Sequence, residues 1–191
     1  LQRLVGRMKL PAEQRNLLKE AIRALGSGWE IVRGTQEQTT AYALSKNQEP
    51  YTGDPGDTIK GYVSLAQKRI YLNTEDPETL LHELLHASVT AKIVNHYAGK
   101  TTPEVSQAVA NLEELMAQWM EQEEDLSGLT AEQRLAYRDA LRQVNAELSN
   151  PGRIRSQNQA AALDEFLAWN LSNQELIKIA QQTEVRNPLV R

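Results

Sequence analysis

Apolar residues recur every three or four positions through most of the chain, a spacing typical of helices with one buried face. In the opening segment Leu17, Leu18, Ile22 and Leu25 follow it, and the glycines after them predict the helix end. The later segments with the same spacing are residues 76–98, 102–124, 130–148 and 156–171, the last with a short continuation over 172–181. Asp76 and Thr102 are the predicted caps of the first two, and Gly99 and the turn at residues 150–152 predict the ends of the first and the third.

Between the first helix and the later ones the pattern changes to alternation, which predicts strands at residues 29–33, 58–64 and 68–73. The last two are separated by only a few residues and therefore predict an antiparallel hairpin. A polar stretch ending in the turn-rich residues 51–57 predicts a long surface loop before them. The expected fold class is α+β, with a small antiparallel sheet followed by a mainly helical half.

These elements predict one domain over residues 1–191. It consists of an N-terminal helical segment (1–28), the sheet with its loop (29–73) and the helical half (74–181). Because the chain begins with Leu, we expect it to be a piece of a longer protein, for instance a polyprotein.

Composition narrows the function classes. The chain has no cysteine, which excludes disulfides, thiolate metal sites and cysteine nucleophiles. With 21 Lys and Arg against 25 Asp and Glu, the net charge of -4 argues against a nucleic-acid partner. No apolar run approaches the roughly 20 residues that cross a bilayer, so no membrane partner is expected.

The strongest chemical signal is His82-Glu83-Leu84-Leu85-His86, which matches the zinc motif H-E-x-x-H. Residues four apart lie on one face of a helix, so two imidazoles can bind one Zn²⁺. Glu83 is poorly placed as a ligand of the same ion, but it can accept a proton from metal-bound water as a general base.

A catalytic zinc needs a third protein ligand. His96 does not fit the H-E-x-x-H-x-x-G-x-x-H arrangement, because Lys92 and Val89 stand where that arrangement needs His and Gly. Glu165 is distinguished by lying in a mostly apolar stretch, where a carboxylate is costly unless it meets a cation. The carboxylates that remain as candidates are Glu104, Glu113, Glu114 and Glu165.

Two further roles have candidates. A donor that stabilises an oxyanion can come from Tyr97, His96 or Tyr137. A strand at the sheet edge can align an extended peptide by strand addition, and the strand before the motif is the candidate if it lies at that edge. Its residues are Arg69, Ile70, Tyr71 and Leu72.

The order of these segments resembles the zincin-like metallopeptidases with a glutamate third ligand, especially domains of large phage proteins. The resemblance covers residues 29–180 and is carried by R-I-Y-L-N, L-L-H-E-L-L-H-A and the late segment D-E-F-L-A-W-N-L-S-N. It implies a zincin-like fold with the motif on the active-site helix, and Glu165 as the third ligand. The other positions that match the family's late segment are Phe166, Ala168, Ser172 and Asn173.

One position departs from the family pattern. Trp169 stands where the late segment usually has a second acidic residue, so the resemblance implies that Asp164 or Asn170 orients a ligating histidine instead.

The resulting functional hypothesis is a zinc metalloendopeptidase that acts on a peptide or protein, in the virion or the host cytoplasm. Its ligands are His82, His86 and Glu165, and Glu83 is the general base. The alternatives are an inactive zincin-like virion or scaffold module that binds a protein partner, and zinc-dependent hydrolysis of a non-peptide bond.

Overall fold

The chain is mainly helical with one small sheet in a computed structural model that describes residues 11–35, 37–38, 60–121 and 126–182. This confirms the α+β class. Most of the predicted surface loop, including its turn-rich end at residues 51–57, lies outside the described residues. The helices are α1 (Ala12–Leu25), α2 (Pro77–Tyr97), α3 (Pro103–Glu121), α4 (Ala131–Leu148), α5 (Arg155–Ser172) and α6 (Gln174–Gln182). The strands are β1 (Glu30–Arg33), β2 (Gly61–Ser64) and β3 (Arg69–Leu72).

The sheet has the strand order β1-β3-β2. The predicted hairpin is confirmed, because β2 pairs antiparallel with β3 and Gly61 stands opposite Leu72. The prediction of a purely antiparallel sheet is wrong, since β1 pairs parallel with β3. A long connection separates β1 from the hairpin, and such a connection lets a strand enter the sheet in either direction.

The described residues cluster into two compact units, and the prediction of a single domain stays a prediction. Of the described residues, those up to 91 together with 151–154 form the first unit, and those from 92 to 150 and from 155 to 182 form the second. The boundary along the chain falls inside α2, after Ala91. The buried apolar side chains of the first unit come from α1, β3 and the first half of α2, and they are Leu18, Ala21, Ile70, Leu72, Leu80, Leu81, Leu84, Leu85 and Ala87.

In the second unit α4 packs against α5 and α6, and an aromatic cluster occupies the core. The ring of Trp119 lies 4.8 Å from that of Tyr137 and 5.4 Å from that of Phe166. The Tyr137 hydroxyl is fully buried and donates a hydrogen bond to the carbonyl oxygen of Trp119. This bond satisfies a polar group that would otherwise be costly in the core.

Helix α4 begins with a capping box. The Thr130 hydroxyl accepts from the Gln133 amide at 3.2 Å, and the Gln133 side chain accepts from the Thr130 amide at 3.0 Å. Two amide donors at the helix start are thereby satisfied.

We expect Thr130→Ala to lower the free energy of unfolding by about 1 kcal/mol, because the first of these bonds is lost. Chemical denaturation monitored by circular dichroism measures the change. Thr130→Ser keeps the hydroxyl and should stay close to the wild type; equal loss in both variants would show that the cap is not the cause.

Candidate metal centre

The H-E-x-x-H motif lies in the first half of α2, on a helix whose start is well determined. Asp76 accepts the amides of Glu78 and Thr79, each at 3.2 Å, which confirms the predicted cap. Pro77 occupies the first helical position, where its missing N–H costs nothing. The cap therefore determines where the helix begins, about 2.8 turns before His86.

The two motif histidines meet as their spacing predicts. Their Nε2 atoms are 3.0 Å apart, and their rings are 4.6 Å apart at an interplanar angle of 80°. In tetrahedral zinc, ligand nitrogens at 2.0 to 2.1 Å from the ion are roughly 3.3 Å from one another. The His82 and His86 nitrogens therefore fit a shared metal ion.

Glu83 lies between the two histidines in sequence and is 8% exposed. The two residues that follow it on the helix, Leu84 and Leu85, are buried as well. Its side chain also lies against Gly61 of β2, within the first unit. A carboxylate with so little exposure is costly unless polar groups or a cation stabilise its charge.

Glu165 lies on α5 in the second unit and is half-buried. The apolar stretch around it is buried as the sequence predicts, with Leu163, Phe166 and Ala168 all below 9% exposure. Its assignment as a metal ligand stays a prediction.

The alternative third ligands are occupied by other interactions. Glu113 accepts a hydrogen bond from the Tyr97 hydroxyl, and Glu114 accepts one from Gln118 at 3.2 Å. Glu104 is fully exposed, and a hydrogen bond from the Thr102 side chain lowers the pKa of its carboxyl.

Two of the three proposed oxyanion donors have their hydroxyls engaged within the second unit. Tyr137 donates to the Trp119 carbonyl in the core and is fully buried, so it is a structural residue. Burial, and after it the hydrogen bond to Glu113, raises the pKa of Tyr97. The ring of His96 contacts that of Tyr97 edge-on at 5.1 Å.

The substrate-aligning role of Arg69–Leu72 depended on an edge position, and the structure contradicts this condition. These residues form the central strand β3, whose two sides pair with β1 and β2. Its backbone donors and acceptors are therefore already used, and a further strand cannot add to it.

Gly61 was not among the candidate residues predicted from the sequence, although its position inside a predicted strand was a signal for it. An isolated glycine inside a strand pattern indicates a bulge or a close approach to the backbone, and Gly61 interrupts the predicted strand at residues 58–64. The contact with Glu83 is the approach that this glycine permits.

No helix in the described ranges is long and apolar enough to cross a membrane.

The comparison with known proteins gives one curated relative. In an alignment 182 residues long that covers 91% of this chain, the sequence is 36% identical to the virion DNA-directed RNA polymerase of Enterobacteria phage N4. The chain spans about 5% of that protein's length. No protein-family model and no solved structure matches the chain.

This relative corrects the functional interpretation of the sequence. It is named as an RNA polymerase and not as a zinc peptidase, so the assignment to the zincin-like metallopeptidases and the peptidase function are wrong. The alternative of an inactive zincin-like scaffold module is not supported either, and the zincin-like part of the predicted fold is not confirmed. The relative is an enzyme by its name, and that name agrees with the expected virion association.

The expected partners are corrected by the same finding. A peptide substrate and the absence of nucleic acid were expected, whereas the relative is named for synthesis of RNA directed by DNA. The exclusion of nucleic acid rested on a net charge of -4, but phosphate contacts depend on where the basic side chains lie and not on the total. Of the expected identity, the phage origin is the part that agrees with the relative.

Proposed function

We propose that this chain is a domain of a phage virion DNA-directed RNA polymerase and that it binds one Zn²⁺ ion at His82 and His86. The observation that carries the first part is the 36% identity to the phage N4 polymerase over 91% of the chain. The 3.0 Å separation of the two imidazole nitrogens supports the second part.

The two imidazole donors indicate a metal centre that is distinct from the one that adds nucleotides. Polymerases hold two metal ions about 3.5 to 4 Å apart, and Mg²⁺ in such sites takes oxygen ligands from carboxylates, phosphates and water. Paired imidazoles favour zinc instead. The domain therefore contributes a separate metal centre to the polymerase.

Glu165 is the proposed third ligand. Two imidazoles and one carboxylate are a donor set that catalytic zinc sites use with one open position, and Glu165 completes that set in this proposal. The buried apolar side chains around it, Leu163, Phe166 and Ala168, support this choice, because a carboxylate in such surroundings is costly unless it meets a cation.

Glu83 is proposed as an acid–base group and not as a ligand. When bound, zinc supplies Lewis acidity and lowers the pKa of coordinated water to about 7. The Glu83 carboxylate, 8% exposed and next to His82 in sequence, is suited to accept and return a proton beside that centre.

A second surface, on α4, is proposed to contact nucleic acid. Arg134, Arg138 and Arg142 follow each other at intervals of four, so they form a stripe with a rise of about 6 Å between successive side chains. Arg138 and Arg142 are exposed, and Arg134 donates to the Leu129 carbonyl. Guanidinium groups in such a row match the phosphates of an extended strand.

We expect His82→Ala and His86→Ala to lose stoichiometric zinc, because the remaining ligands bind the ion too weakly at physiological metal levels. Metal analysis by mass spectrometry after dialysis measures the content. Far-UV circular dichroism should stay unchanged, since Ala is a good helix former. A wild-type chain without zinc, or one zinc per chain in either variant, would contradict the proposed centre.

The third ligand is tested by comparing the zinc affinities of four Glu→Ala variants. Glu165→Ala should lower zinc affinity to the level of the histidine variants, whereas Glu104→Ala, Glu113→Ala and Glu114→Ala should keep the wild-type affinity. Competition with a zinc-binding dye gives the dissociation constants. Loss of zinc in one of these three, with retention in Glu165→Ala, would show that the third ligand is another carboxylate.

For the α4 surface we expect the double charge reversal Arg138→Glu, Arg142→Glu to weaken binding of single-stranded DNA by about tenfold or more in 0.1 M salt. Two lost phosphate contacts should also reduce the slope of log K against log salt concentration by about 1.4. Fluorescence anisotropy with a labelled oligonucleotide measures both quantities.

The matched control reverses two exposed arginines on α1, Arg15→Glu and Arg23→Glu, and makes the same change in net charge. An equal effect of both double variants would show that binding follows net charge and not the α4 stripe. If the wild-type chain does not bind single-stranded DNA, the proposed α4 surface is wrong. The metal centre is tested separately by the zinc measurements.

A further inference from the structure

Gly61, the first residue of β2, leaves no room for a side chain. A Cβ atom built on it would lie 2.5 Å from Oε1, 2.6 Å from Cγ and 2.8 Å from Cδ of Glu83. Real Cβ atoms essentially never come within 3.0 Å of such neighbours. The Glu83 side chain therefore occupies the space that any other residue at position 61 would fill.

The backbone conformation does not explain this glycine. The described glycines with positive φ are Gly26, Gly28 and Gly99, and Gly61 is not among them. Glycine weakens a strand interior, because it costs more conformational entropy on folding and offers no side chain to pack. Space for Glu83 is the compensating gain that the structure offers.

The partner in this contact is a side chain with a proposed chemical role. Glu83 follows His82 on α2, and its carboxylate is almost fully buried. The atoms that meet Gly61 include one of its carboxylate oxygens. Any side chain at position 61 would push the flexible Glu83 side chain away while the strand and the helix keep their places.

We infer that Gly61 is a positioning residue for Glu83. Because it has no side chain, the Glu83 carboxylate can lie against β2, and this determines where the carboxylate lies relative to a metal ion at His82 and His86. One of the two tests below rests on the proposed metal centre, and the other does not.

The first test is a double-mutant cycle in thermal stability and needs no metal. Gly61→Ala should lower the Tm by a few degrees in the wild-type chain and by clearly less in Glu83→Ala, where the conflicting atoms Cγ, Cδ and Oε1 are absent. Equal losses in both backgrounds would overturn the inference. Gly128→Ala is the matched control, because a Cβ at Gly128 meets nothing within 4 Å and its effect should be the same in both backgrounds.

The second test uses Co²⁺ as the metal probe, because its visible spectrum reports the surroundings of the ion. Gly61→Ala should still bind one Co²⁺ per chain, and its spectrum should shift in the same direction as that of Glu83→Gln. Gly128→Ala should keep the wild-type spectrum. A wild-type spectrum in Gly61→Ala, together with a shifted one in Glu83→Gln, would overturn the positioning role.

The two tests separate the two proposals. If the wild-type chain takes up no Co²⁺ and no zinc, the proposed metal centre fails, and the double-mutant cycle still decides whether Gly61 and Glu83 are coupled. If Gly61→Ala does not fold, Gly61→Ala in the Glu83→Ala background gives the answer: recovered folding supports the inference, and continued failure overturns it.

Discussion

The structure around α2 depends on the free-energy cost of burying polar side chains on a mostly apolar helix. On α2 the two imidazoles and the carboxylate stand among four leucines that are each at most 3% exposed, Leu80, Leu81, Leu84 and Leu85. Leucine burial holds the helix in the first unit, and it takes Glu83 out of water at the same time. Buried charge of this kind needs stabilisation by polar groups, and the 3.0 Å separation of the His82 and His86 nitrogens is the observation behind the proposed metal centre.

The cap of α2 and the β2–β3 hairpin together accommodate the buried Glu83 side chain. The Asp76 cap determines where α2 begins, and therefore which residues face the leucine side. The hairpin places Gly61 opposite Leu72 and presents a bare backbone to Glu83. A strand with side chains at every position would not accommodate the carboxylate there.

The similarity to a virion RNA polymerase changes the function that we propose for this chain, and the metal centre remains a separate proposal. The chain matches a small part of a very large relative. A domain of this size can supply a metal centre or a nucleic-acid contact without containing the catalytic apparatus, because function resides in sites and not in the fold that carries them. On α4 of this acidic chain Arg138 and Arg142 are exposed, and Arg142 lies 4.0 Å from Asp139.

From spacing along the chain, the sequence by itself determined the helices, the β2–β3 hairpin, the cap at Asp76 and the meeting of His82 with His86. All of these depend on neighbours a few residues apart, where spacing decides geometry. Only the tertiary structure decided the parallel pairing of β1 with β3, the central position of Arg69–Leu72, the bond from Tyr97 to Glu113 and the contact of Gly61 with Glu83. Each of these joins residues well separated along the chain, and their pairing depends on how whole elements pack, which no local pattern encodes.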